Sequence, residues 1–100
     1  MDDLASTLLP RLRRWTPDSW ARPATGGGTR AEVTAGAVQR LADLGADAEG
    51  RPRRPVPGLG PAVLADQLAV LADDIARTGD AAAMDAAAAE LAALKTALGY

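Results

Sequence analysis

A glycine-rich stretch before a helix start offers the clearest potential for chemistry in this sequence. Gly26, Gly27 and Gly28 lead directly into Thr29 and Arg30. Exposed backbone N–H groups, the positive end of a helix dipole, a hydroxyl and a guanidinium can together bind an anion. The stretch has neither the lysine nor the preceding strand of a phosphate-binding loop. Two interpretations are open: an anion site at Gly27, Gly28, Thr29 and Arg30, or a flexible loop followed by a capped helix.

Two tryptophans lie close to this stretch in the sequence. Trp15 and Trp20 flank Thr16-Pro17, where a capping hydroxyl followed by a proline favours a short helical turn over residues 17–21. Indole rings at one end of a helical bundle can form a platform on which a ligand stacks. In an alanine-rich protein they can equally supply bulk to the core or to a subunit interface. The candidate ligand or anion site comprises Trp15, Trp20, Gly27, Gly28, Thr29 and Arg30.

The residue types that most enzymes need are missing. The sequence has no cysteine and no histidine, so it lacks a thiolate nucleophile, an imidazole base and the histidine ligands of a helical carboxylate site. The acidic side chains of the C-terminal half are therefore expected to form a solvated face. Those carboxylates are Asp66, Asp73, Asp74, Asp80, Asp85 and Glu90. We predict no catalytic residue, no metal and no cofactor.

The charge distribution does not favour a nucleic-acid partner. The net charge is −2, and no aromatic residues are interleaved with the basic cluster at Arg51–Arg54. A solvated linker is the simpler interpretation of that cluster. No segment has the roughly 18 successive apolar residues of a membrane-spanning helix, and the acidic start of the chain does not resemble a signal peptide. We expect a cytoplasmic protein with neither nucleic-acid nor membrane partners.

Alanine and leucine dominate the elements that must position these residues. The chain has 24 Ala and 13 Leu but only 5 Val and 1 Ile, a composition that favours helix over strand. A proline- and arginine-rich strap at residues 50–60 should cross the molecule in an extended form. The predicted fold is all-α: one domain, residues 1–100, forming an up-and-down bundle of four helices at about 2–15, 29–49, 61–78 and 80–98, with a short extra turn near 17–21.

Local signals indicate where these helices begin, end and bend. Thr29 and Glu32 have the spacing of a capping box. Gly79 can take the left-handed conformation that closes one helix, and Asp80 can cap the start of the next. Pro10 cannot donate a backbone hydrogen bond, so the first helix should bend or split one turn before it.

The apolar residues recur at three- and four-residue spacing, which predicts the core. Gly36 on the second long helix further suggests that another helix approaches closely there. The predicted core residues are Leu4, Leu8, Leu12, Trp15, Val33, Leu41, Leu64, Leu68, Leu71, Ile75, Leu91, Leu94 and Leu98.

The last helix is too rich in alanine to form a stable hairpin with its neighbour alone. Alanine buries little apolar area per residue. Leu91, Leu94 and Leu98 must therefore be covered either by the first two helices or by a second copy of the chain. In the second case these leucines form an interface, and the protein is a homo-oligomer, simplest as a dimer, or binds another protein.

One part of the sequence is similar to a known family. The run RWTPDSWARP from Arg14 to Pro23 and the run GTRAEVTAG from Gly28 to Gly36 resemble the opening of DinB-like, maleylpyruvate-isomerase-like helical bundles. The resemblance covers roughly residues 4–45 and implies a helical bundle. The position that matches the family's first metal-binding histidine is Gly36, so the family's divalent metal site does not carry over. The resemblance therefore implies a short, metal-free derivative. In composition and length the chain is also similar to small actinobacterial proteins, which assigns no activity.

Two functions stay open at this point. The first is a non-catalytic helical interaction or accessory module that self-associates through helical faces. The alternative is a small-ligand-binding bundle that uses Trp15, Trp20 and the Gly26–Arg30 loop.

Overall fold

The computed structural model describes residues 2–100, and their side chains from residue 5 onward. The described chain is all-α, as predicted, and its only strand-like feature is an isolated bridge between Pro23 and Thr29. Its helices are α1 (Asp2–Arg13), α2 (Pro17–Ala21), α3 (Arg30–Ala48), α4 (Leu64–Thr78) and α5 (Ala81–Ala97), with a 3-10 turn at Pro61–Val63 before α4.

The local signals begin and end helices where they were predicted to do so. The Thr29 hydroxyl accepts a hydrogen bond from the Glu32 N–H, and the Glu32 carboxylate accepts one from the Thr29 N–H, which completes the capping box of α3. Gly79 has a left-handed φ of 70° at the end of α4. The Asp80 carboxylate accepts the Ala83 N–H at the start of α5. The chain therefore turns from α4 into α5 through residues 79 and 80 alone.

Helix α1 is not split at its proline. It runs from Asp2 to Arg13 with Pro10 inside it, because a proline removes only one backbone hydrogen bond and the adjoining turns keep theirs. The helix ends earlier than predicted. Trp15 donates its backbone N–H to Leu12, three residues back, at 3.1 Å, which is the tighter 3-10 pattern common at helix ends. Trp15 therefore lies at the corner between α1 and α2.

The strap, residues 50–60, runs back along α3. The Arg51 N–H donates to the Ala46 carbonyl at 2.8 Å, near the end of the helix. Further along the strap, the Val56 N–H donates to the side-chain oxygen of Gln39 at 2.8 Å. The strap therefore runs antiparallel to α3. The strap consequently ends close to the point where α3 begins.

Helices α3 and α4 start at the same end of the molecule as a result. Gly45 lies late in α3 and Ile75 late in α4, yet a Cβ atom on Gly45 would lie 3.7 Å from the Ile75 Cγ1. Early residues of α3 and α4 also line one cleft together, and late residues line another, so the two helices lie side by side in parallel. The predicted up-and-down order is not confirmed. Gly45 is also the glycine at which another helix approaches. A Cβ on Gly36 would instead meet the guanidinium of Arg40 on its own helix, at 3.2 Å.

The core lies between α4 and α5 and the helices that cover them. Helix α3 packs extensively against both, and α1 contacts the same two helices. Leu91, Leu94 and Leu98 are 1%, 2% and 1% exposed. Helices of the same chain cover these leucines. They are therefore not available as an interface with a second copy of the chain.

Most of the predicted core is buried. Trp15, Val33 and Leu71 are half-buried and pack against the core rather than within it. Leu4 lies outside the described side chains. Four larger residues outside the predicted core are also buried, together with several alanines. The larger ones are Leu9, Trp20, Thr34 and Val38.

Candidate functional site

An apolar cleft of 410 Å³ opens at the end of the molecule where α3 and α4 begin. Three parts of the chain form its walls: the corner between α1 and α2, the start of α3, and the 3-10 turn before α4. The lining carries no ionisable side chain, and its only hydroxyl is that of Thr29. We call it the tryptophan cleft. Its lining residues are Trp15, Pro17, Trp20, Ala21, Thr29, Ala31, Pro61 and Ala62.

Helix α2 fixes the two tryptophans. The Thr16 hydroxyl accepts a hydrogen bond from the Ser19 N–H at 3.3 Å, and Pro17 supplies the backbone angle that a first helical position needs. Trp20, in the next turn, is only 3% exposed. Trp15 precedes the cap and is half-buried. The structure therefore brings both indoles to one cleft, where each also packs against the core.

Trp15 contacts two other aromatic rings. Its ring centroid lies 4.8 Å from that of Trp20, with the ring planes at 77°, which is the edge-to-face arrangement that aromatic quadrupoles favour. Its Nε1–H donates to the Tyr100 Oη at 3.0 Å, and these two ring centroids are 5.9 Å apart. The Trp15 wall of the cleft is thus held in place by the protein itself.

Two guanidiniums cover this aromatic cluster. The Arg30 Cζ lies 4.7 Å from the centroid of the Trp15 ring, and the Arg11 Cζ lies 4.6 Å from the centroid of the Tyr100 ring. Both distances are those of a cation–π contact. Within the part of the chain whose side chains are described, neither guanidinium forms an ion pair with a carboxylate. Among the residues with described side chains, two guanidiniums without a carboxylate partner therefore cover the aromatic cluster that forms the Trp15 wall.

The glycine-rich loop, for which flexibility was one interpretation, is held by backbone hydrogen bonds. One bond joins its two ends, and another joins it to α5. The Ala24 N–H donates to the Gly28 carbonyl at 2.9 Å, which closes the loop on itself. The Thr25 N–H donates to the Ala97 carbonyl at 3.0 Å, which attaches the loop to the end of α5. Gly27 and Gly28 have positive φ angles of 103° and 70°, the left-handed conformation that glycine adopts without strain. Both glycines lie outside the lining of the tryptophan cleft.

Glu32 caps the helix start at which an anion site was predicted. The Glu32 carboxylate accepts the Thr29 N–H at 3.0 Å. Hydrogen bonds from the Thr29 backbone and then from its side chain lower the pKa of Glu32. The carboxylate is therefore ionised at neutral pH and adds a negative charge beside the N–H groups of this helix start. Of the predicted anion ligands, Thr29 instead lines the tryptophan cleft and Arg30 packs against its Trp15 wall.

The remaining charged clusters are largely paired with one another. In the Arg51–Arg54 cluster, Arg53 binds Asp47 at 2.7 Å, and hydrogen bonding to this guanidinium lowers the pKa of Asp47. Acidic side chains of α4 and α5 form the ion pairs Arg13–Asp66, Arg77–Asp73 and Arg40–Glu90. Within the described residues, no three or more acidic side chains are grouped so as to hold a metal ion.

Several residues of this region were not in the predicted site. Pro17, Ala21 and Ala31 are close in sequence to predicted residues. Tyr100, in contrast, is 85 positions away from the Trp15 to which it binds, and Pro61 and Ala62 come from the turn before α4. One signal was available, since Tyr100 is the only tyrosine and directly follows the last helical stretch. No local pattern shows which helix ends meet, because the direction of the strap decides that.

The chain matches no family model, no curated protein and no solved structure. In the described part of the chain, none of the helices combines the length and the apolar character needed to cross a membrane. The geometry of the tryptophan cleft is therefore the basis for a functional interpretation.

Proposed function

We propose that the protein is a non-catalytic binding module, and that the tryptophan cleft binds the apolar or aromatic part of a small ligand. A single observation carries this proposal: a cleft of 410 Å³ with two tryptophan walls and no ionisable lining residue. Sites for small molecules are typically apolar concavities of this order of size with few polar groups. The one hydroxyl, on Thr29, can orient a ligand but has no base beside it that could activate it.

Preorganisation supports the same proposal. The Trp15 ring is held by Trp20, by Tyr100 and by the guanidinium of Arg30. A ligand that contacts this ring does not have to order it first, so less of the interaction free energy is lost on binding.

Cleft-filling variants test the proposal. Ala62 is exposed in the 3-10 turn and lines the cleft, so Ala62→Leu should fill the space without disturbing the core. The probe is 1-anilinonaphthalene-8-sulfonate, followed by its own fluorescence and by calorimetry. We expect Ala62→Leu to weaken binding at least about tenfold, which is about 1.4 kcal/mol.

The matched control adds the same side chain elsewhere. Ala82 is exposed on α5 and lines none of the clefts described above, so Ala82→Leu should bind the probe as the wild type does. Equal binding by all three proteins, with unchanged melting temperatures, would show that the probe does not occupy this cleft.

Self-association is a second candidate function, favoured by the outer face of α5. The exposed residues of this helix are five alanines together with Asp85 and Thr96. A helix that is apolar on nearly every side is usually covered, and alanines allow another helix to approach closely. Light scattering at high micromolar concentration tests this candidate, with Ala89→Glu as the variant that should disrupt a dimer. A protein that stays monomeric throughout would exclude it.

For the arrangement of the helices, we propose a four-helix bundle with one crossover. The parallel contact of Gly45 with Ile75 and the path of the strap support it. Kinship with DinB-like bundles and a cytoplasmic location stay predictions.

A further inference from the structure

A second apolar cleft adjoins the tryptophan cleft. It has a volume of 270 Å³ and lies between α3 and the strap. Ala31 and Pro61 line both clefts, so these two residues form a waist between them. We call the second space the strap cleft. Its apolar walls include Ala35, Val38, Val56, Leu59 and Leu64.

The strap cleft extends the site along the axis of α3. Ala31, Ala35 and Val38 follow one another on a single face of the helix, as residues four and three apart do. The distance from Ala31 to Val38 is about 10 Å at 1.5 Å per residue. The two clefts together are therefore elongated, and the strap covers only one side of them, with Leu59 65% exposed at the rim.

The polar groups beside the strap cleft already have partners. The Gln39 amide accepts the Val56 N–H and donates to the Arg54 carbonyl at 3.0 Å. The Gln67 side chain donates to the Pro57 carbonyl at 3.3 Å. These amides are committed to holding the strap. This end of the site is thus suited to an apolar chain rather than to a polar head.

Charge distinguishes the two ends further. At the tryptophan end, the guanidiniums of Arg30 and Arg11 lie on aromatic rings and have no carboxylate partner among the residues with described side chains. At the waist, the ionised carboxylate of Glu32 lines the strap cleft. An anionic head is attracted to the first region and repelled from the second.

We infer that the ligand is a linear amphiphile with an anionic head. The head lies at Arg30, and the apolar chain passes through the tryptophan cleft and over the waist into the strap cleft. This inference rests on the proposed function of the tryptophan cleft and names the class of ligand that the cleft takes.

The test compares three probes of matched chemistry: hexanoate, decanoate and decanol, each below the concentration at which it aggregates. Binding is measured by calorimetry and by the change in tryptophan fluorescence. We expect decanoate to bind at least about tenfold more tightly than hexanoate, because the longer chain reaches the strap cleft. Decanol should bind more weakly than decanoate, because it lacks the charge that Arg30 attracts.

Two variants separate the ends of the site. Ala35→Leu fills the strap cleft alone, since Ala35 does not line the tryptophan cleft. It should remove the advantage of decanoate over hexanoate and leave the binding of 1-anilinonaphthalene-8-sulfonate unchanged. Arg30→Gln should weaken decanoate about tenfold and leave decanol unaffected. The control Arg14→Gln removes an equal charge from an exposed position and should change neither.

The outcomes distinguish this inference from the proposed function. Equal affinity for hexanoate and decanoate, with probe binding still lost in Ala62→Leu, overturns the elongated site and keeps the tryptophan cleft. Equal affinity for decanoate and decanol overturns the anionic head. If no probe binds, and Ala35→Leu disrupts a dimer, the groove is covered by a second copy, and both proposals are wrong.

Discussion

Glu32 occupies the helix start that a bound anion would otherwise use. Its carboxylate and the Thr29 hydroxyl exchange hydrogen bonds with each other's backbone N–H groups. The same pair therefore caps α3 and places a negative charge beside the waist of the proposed ligand site. The spacing of Thr29 and Glu32 predicted the cap. The anion site that the neighbouring glycines suggested would share this helix start with the capping box, which already uses two of its N–H groups.

Acid should destabilise the protein partly through this residue. The pKa of Glu32 lies below its ordinary value of 4.5 because of hydrogen bonds from Thr29. The folded state then binds fewer protons than the unfolded state. The resulting stabilisation is fully present above pH 4.5 and is lost as the pH falls through the lower pKa of the folded state.

The variant Glu32→Gln should remove this contribution, because an amide can still accept the Thr29 N–H but does not titrate. Urea midpoints measured from neutral pH down to pH 3 should therefore fall less steeply for the variant. Some acid sensitivity should stay, since Arg53 lowers the pKa of Asp47 in the same direction. Identical slopes for wild type and variant would contradict the prediction.

Among the helices and their connections, α3 illustrates which parts of the fold can be predicted from the sequence. Its start was predicted from Thr29 and Glu32, and the turn into α5 from Gly79 and Asp80, because these signals act within one helical turn. The predicted up-and-down order did not anticipate the direction of α4 relative to α3. This direction depends on Gln39, which binds the strap residues Arg54 and Val56. They lie 15 and 17 residues farther along the chain.

The candidate site divides in the same way. Trp15 and Trp20 were predicted to share a ligand site because they are close in sequence and flank a capped turn. Tyr100, which binds Trp15, and Pro61, which lines the cleft, were not, since they come to this end only through α5 and the strap. Local chemistry could therefore identify one wall of the cleft, while the other walls depend on long-range packing.

Two glycines of these elements should respond in opposite ways to the same substitution. A Cβ on Gly45 would make an ordinary contact, 3.7 Å from Ile75, so Gly45→Ala should stabilise the protein by about 0.5–1 kcal/mol. Gly79 has a left-handed φ of 70°, so Gly79→Ala should destabilise it by about 1–2 kcal/mol.

Thermal unfolding and urea unfolding both measure this difference. The paired design compares the same change inside a helix and at a helix end, so a general effect of alanine cannot account for opposite signs. Destabilisation by Gly45→Ala would indicate that α3 and α4 pack more tightly at this point than the structure shows.

At the scale of the whole molecule, the last helix is covered from within. Leu91 is 1% exposed, and α3 and α1 both contact the helix that carries it. The chain therefore provides its own cover for the thin, alanine-rich arm. Two features stay exposed: the alanine-rich outer face of α5 and the elongated groove along α3.

Leu91→Ala should consequently cost about 2–5 kcal/mol of unfolding free energy in the monomer. This is a large share of the 5–15 kcal/mol typical of a domain. The control Ala89→Ser alters the exposed face of the same helix and should change stability by less than about 0.5 kcal/mol. Urea unfolding gives the free energy, and light scattering gives the mass. A Leu91→Ala protein of wild-type stability that has lost a dimer would show that this leucine faces a partner.

Because the strap runs back along α3, the length of the strap limits the length of α3. Helix α3 has 19 residues and is about 28 Å long at 1.5 Å per residue. An extended chain over residues 50–60 covers about 34 Å at 3.1 Å per residue. The excess is about 6 Å, close to one helical turn of 5.4 Å. Helix α3 can therefore grow by no more than about one turn unless the strap grows with it, so insertions in these two segments should occur together.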